Sequence, residues 1–171
     1  MRSKRGLILV LAAVSLIAAG IAFAGARADV REAVPATARF HDLGKAVEAG
    51  YTLRLPDVTG ETCIAEEGEG AMGVHMVNTS LLDGTIDATA PEALVYEPKA
   101  NGKLKLVAVE YVVFESDWAG AEPPELFGRE FDFTGTPNRY GLPAFYALHA
   151  WIWKPNPSGL LHAWNPRVSC G

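Results

Sequence analysis

Cysteine is scarce in this chain of 171 residues: there are two, Cys63 and Cys170. In an exported protein two cysteines pair, and the bridge would tie the C-terminus to the first third of the mature chain. No odd thiol is left over, which argues against Cys63 as a nucleophile. Compact chemical motifs are missing too. The chain has no H-E-x-x-H, no H-x-x-E-H, no paired C-x-x-C, no G-x-S-x-G elbow, no P-loop and no dinucleotide fingerprint. The chemistries that announce themselves by local spacing are therefore set aside. Any site must be assembled from residues far apart in sequence.

Long apolar runs are also few. Leu7 to Gly25 is the single one, preceded by Arg2, Lys4 and Arg5 and followed by Ala26-Arg27-Ala28. A basic start, an apolar stretch and a small-x-small site are the layout of a secretory signal peptide over residues 1–28. The run is also about long enough to span a bilayer as an uncleaved anchor. Membrane contact is expected only through such a leader, because nothing downstream resembles a second span. Positive charge is short beyond the leader. Four of the fifteen basic residues lie in it, so eleven basic and twenty acidic side chains remain, a formal charge of −9. That balance argues against nucleic acid or an anionic membrane surface as a partner.

What remains is mostly β in pattern. Residues 29–36 read as a loose lead-in, and residues 37–171 as one β-rich domain. Thr37 to Gly50 predicts a helix, with Phe40, Leu43, Ala46 and Val47 at helical spacing and Gly50 placed to end it. From Tyr51 on, short apolar runs alternate with proline and glycine. "GVHMVN", "EALVYEP", "KLKLVAVEYVVFE" and "AFYALHAWIW" predict strands, and Asn101-Gly102 marks a hairpin turn between the second and third. "ETCIAEEGEG" reads as an acidic, glycine-rich loop. The stretch from Asp117 to Pro143 reads as a connection with one short strand. The expected fold is mainly β with one N-terminal helix, an antiparallel barrel or sandwich with long loops.

Strand alternation singles out a few residues. In "KLKLVAVEYVVF", Glu110 is the lone carboxylate on a face with Leu104, Leu106, Ala108, Val112 and Phe114. A buried carboxylate is costly unless it is paired, hydrogen-bonded or bound to a metal. Glu110 is therefore either a structural acid, a metal ligand or a general base. In "FYALHAWIW", His149 shares a face with Phe145, Ala147, Trp151 and Trp153. In "GVHMVN", His75 shares one with Gly73 and Val77. Three strands thus carry one ligand type each. Two imidazoles and one carboxylate, His75, Glu110 and His149, suit one transition metal, zinc or non-haem iron. His162 lies in a turn-rich tail and reads as a loop histidine, with a ligand role as the alternative. Trp151 and Trp153 could instead offer a flat surface to a sugar or an apolar small molecule. A structural envelope domain is the remaining reading.

"GAMGVHMVN", "PEALVYEPKANGKLKLVAVEYVVF" and "LHAWIWKPNPSGLLHAWNPRVSC" together resemble a recurring type of small exported bacterial protein. The likeness covers approximately residues 37–171. It implies export and one compact domain, and it assigns no catalytic residue.

Overall fold

The computed structural model describes residue 25 and residues 27–171. The basic start and apolar run of the leader lie outside the described residues. The chain from 27 to 37 is helical (α1), where a loose lead-in was expected. Ala33 of this helix is fully buried, so the segment is part of the core rather than a tether. The expected helix from Thr37 is a 3-10 turn, Ala38–His41, followed by a short helix α2, Leu43–Glu48. Thr37 does not cap it, because its hydroxyl donates to the Ala33 carbonyl at 2.8 Å. Asp42 breaks the run and caps α2 through the Gly44 N–H at 2.9 Å.

Nine strands follow: β1 Leu53–Arg54, β2 Cys63–Glu66, β3 Gly70–Val77, β4 Ala93–Pro98, β5 Leu104–Phe114, β6 Glu125–Leu126, β7 Arg129–Glu130, β8 Asp132–Thr134 and β9 Phe145–Ala150. Seven form an antiparallel sheet in the order β1-β3-β4-β5-β9-β8, with β2 also paired to β3. The path is open at both ends, and the described strands close no barrel. The acidic run around Cys63 is in part strand β2, not only loop. Its acids Glu61, Glu66, Glu67 and Glu69 are exposed. The long connection after Asp117 holds three short strands rather than one. Phe127 and Gly128, both at positive φ, turn the β6–β7 hairpin.

β5 lies at the centre and is apolar on both sides. Its alternation, however, is interrupted. The ladder with β4 steps from Val95↔Ala108 to Tyr96↔Leu106, so β5 carries one extra residue. Such a bulge exchanges the faces beyond it. Leu104 and Leu106 consequently pack with Val109 and Tyr111, not with Ala108 and Glu110. One face of the sheet (Val74, Leu94, Tyr96, Leu106, Val109, Tyr111, Leu148) covers the helical segment through Ala33, Phe40 and Ala46. The opposite face is divided. One half is a small cluster of Ala71, Val95, Val107, Ala108, Trp151 and Val168. The other half is a cavity.

The C-terminal segment crosses the same side of the sheet. Asn165 bridges to Ala71, and its carbonyl lies against Gly70, where a Cβ would collide with the backbone. Cys63 and Cys170 form a disulfide across 107 residues of chain. No helix among the described residues is long and apolar enough to cross a membrane.

Candidate metal centre

The register of three ladders brings the site together. Val77, Ala93, Glu110 and His149 stand opposite one another across β3, β4, β5 and β9. Glu110 and His149 are thus direct cross-strand neighbours. His75 lies two residues before Val77 on β3, opposite Val95. It is separated from β5 by β4, a backbone distance of about 9.6 Å at two strand spacings. Its ring and the Glu110 side chain bridge that gap by meeting above β4. Ala93, which offers only a methyl group to the cavity side, leaves them the room.

The contacts are close and mutual. His75 Nε2 lies 3.2 Å from a Glu110 carboxylate oxygen and 3.2 Å from His149 Nε2. His149 Nδ1 lies 3.2 Å from the other oxygen of Glu110. The two histidines are 2% and 4% exposed, and the Glu110 side chain keeps 13% on the wall of the cavity. Among the described residues this is the one group of three or more His, Cys, Asp or Glu side chains whose ligand atoms converge, all within 4.8 Å of one another.

Burial acts on all three in the direction of the uncharged form. It pushes the Glu110 carboxyl up to about 8, with the nearby Glu92 adding to the effect. It pushes His75 down to about 4, against a small opposing contribution from the Gly73 backbone. His149 falls well below the usual imidazole range, through burial and then through His75. The His–Glu contacts are therefore not pairs of opposite charges at neutral pH. Of the three, Glu110 is the member that burial moves upward, so that it holds its proton at neutral pH.

Hydrogen bonding alone fits this trio poorly. An imidazole nitrogen carries one proton or one lone pair. Yet two groups stand 3.2 Å from the single atom His75 Nε2. One of those contacts must be shared or go without a proton. The other nitrogen, His75 Nδ1, is buried beside the Gly73 backbone, which offers it only a hydrogen bond of poor geometry. A cation would take one atom from each residue, and His75 Nε2, His149 Nε2 and the Glu110 oxygen beside His75 offer such a set. Two donors held by one tetrahedral ion at zinc–nitrogen distances stand about 3.3 Å apart. The two pairs that include His75 Nε2 stand at 3.2 Å, close to that spacing, and the three donors all lie within 4.8 Å of one another.

The remaining predicted residues lie elsewhere. β9 ends at Ala150, the last residue to pair with β5. Beyond it the chain turns tightly, with the Ile152 N–H bonded to the Ala150 carbonyl and the Trp153 N–H to Val107. Strand alternation stops there, so Trp151 and Trp153 do not share a face. Trp151 is buried among Val95, Val107 and Ala108, stacked at 6.0 Å from His149. Trp153 packs on the opposite core, donates to Thr37 and meets the edge of His41. They form no common aromatic surface. His162 is held locally by the Trp164 backbone and does not line the cavity. Its carbonyl accepts the Trp151 indole N–H.

Sequence reasoning expected a β pocket at the three ligands and missed the walls of the cavity beyond them. The cavity holds about 150 Å³ directly against the triad. Its walls come from β1, β3, β5, β9 and the loop through Tyr140 and Leu142, and no local pattern connects those segments. Comparison with protein-family models, with curated proteins and with solved structures gives no match.

Proposed function

We propose that this is an exported metal-binding protein in which His75, Glu110 and His149 hold one divalent transition ion, zinc or iron(II). The observation that carries the reading is the convergence of three buried donors at ligand–ligand spacing. A charged cation offsets the cost of burying a carboxylate, and it favours the deprotonated donors that burial alone disfavours. Two imidazoles and a carboxylate occupy three positions and leave others open. Those open positions would face the cavity. An ion there could polarise an oxygen or activate water.

Export is the companion proposal. A disulfide fits an oxidising compartment, and the leader has the layout of a signal peptide. The likeness to small exported bacterial proteins points the same way.

Cobalt(II) titration of the chelator-treated mature protein tests the site. Visible absorption bands should grow to saturation at one ion per chain. They should be absent in His75→Ala and Glu110→Ala variants that keep the fold. A wild-type protein that develops no saturable bands would contradict the proposal.

A further inference from the structure

The cavity has a chemistry distinct from that of the triad. At about 150 Å³ it has the volume of a cavity that takes benzene, and it opens to solvent on one side. Its polar wall is narrow. His75, Glu110 and His149 line one side, while apolar side chains, Leu55, Met72, Val112, Leu142, Phe145 and Ala147 among them, supply most of the rest. The other polar side chains at the wall are in part engaged. The Tyr140 hydroxyl donates to Met72 Sδ at 3.5 Å. Arg129 holds the Asp132 carboxylate by two bonds of 2.8 and 2.9 Å. No lysine or arginine lines the cavity, so an anionic guest would find no side-chain counter-charge. The mostly apolar wall would solvate a charge of either sign poorly.

We infer that this cavity is a binding site for a small uncharged molecule, mostly carbon, of about six to eight non-hydrogen atoms, that presents one oxygen to the His75–Glu110–His149 wall. The direction of that oxygen rests on the metal reading, because an open coordination position is what would receive it. The cavity does not rest on it. Its size excludes drug-sized ligands, which need about 300 Å³ or more.

Toluene and p-cresol are suitable probes, since they share a ring and a methyl group and differ by one hydroxyl. Calorimetric titration of the full mature chain, chelator-treated and zinc-loaded, should show one site per chain for both. In the zinc-loaded protein p-cresol should bind at least tenfold more tightly than toluene, and chelation should shrink that margin. Ala147→Leu, which puts a larger side chain into the cavity, should weaken both probes at least tenfold. Leu142→Ala should admit 2-naphthol, which the wild type refuses, and it keeps the test open if Ala147→Leu does not fold. No saturable binding of either probe would overturn the site. So would binding that folded Ala147→Leu and Leu142→Ala leave unchanged. Saturable toluene binding by a protein that takes up no zinc would overturn the metal reading and the direction of the oxygen, and would leave the cavity as the site.

Discussion

Two carboxyls lie deep beside the same sheet, and their surroundings set them apart. Glu110 faces two imidazoles. Glu92, 1% exposed, immediately precedes β4 and accepts the Val112 N–H at 2.9 Å. Burial pushes its carboxyl up to about 8, with Asp83 and Asp87 adding to the effect. An acid raised in the folded state opposes folding once the unfolded chain can ionise it. The cost of Glu92 is absent below about pH 4.5, grows as pH rises towards 8 and is constant above. Glu92→Gln keeps an acceptor for Val112 and removes that cost. The variant should match the wild type near pH 4 and exceed it by a few kcal/mol, on the order of the linkage integral, at pH 8. Urea unfolding across that range checks it. A difference that does not change with pH would show that Glu92 is not the titrating group.

At the scale of the elements, β3, β4, β5 and β9 are the construction of the site, and three of their properties were legible beforehand. The runs around His75, Glu110 and His149 are apolar enough to predict strands, and Asn101-Gly102 marks the β4–β5 turn. Alternation then puts each ligand on one face of its own strand. It could not say that the three faces coincide, because that depends on strand order and register. Nor could it show the bulge in β5, since one extra residue leaves no mark in a run of valines and alanines. The end of β9 was hidden for a similar reason: "HAWIW" stays apolar through the turn that sends Trp151 and Trp153 apart. Ala93 was unremarkable in sequence, yet it is the gap through which His75 reaches Glu110. Ala93→Leu should therefore hold the two side chains apart. The expected result is a loss of cobalt affinity of at least tenfold in a folded protein, read from the same spectral titration. Unchanged affinity would mean that the ligands do not meet over β4.

Among the described residues, the segments before and after the central strands are both tied to the sheet or its loops. The C-terminal segment crosses β3 at Gly70 and runs on to Cys170, bonded to Cys63 on β2. This places the disulfide on the sheet edge beside β3, the strand that carries His75. Opening the bridge releases a long loop in the unfolded chain, and the chain-entropy model gives about 4–5 kcal/mol for that. Double replacement, Cys63→Ser with Cys170→Ser, should lower unfolding stability by an amount of that order. Metal stoichiometry below the melting temperature should persist, because no ligand strand is cut. The disulfide was legible from the cysteine count. The helical α1 over residues 27–37 was not, since its anchors are contacts far away in sequence: the Asp29 carboxylate accepts the Phe127 N–H at 2.6 Å.

The central claim is that three buried side chains on three strands share one ion. Elemental analysis tests it most directly, on mature protein produced in an oxidising compartment and purified without chelator. The account predicts one zinc or iron per chain in the wild type and a near-complete loss in folded His149→Ala. Metal-free wild-type protein that also fails to take up zinc or iron(II) on reconstitution would contradict it.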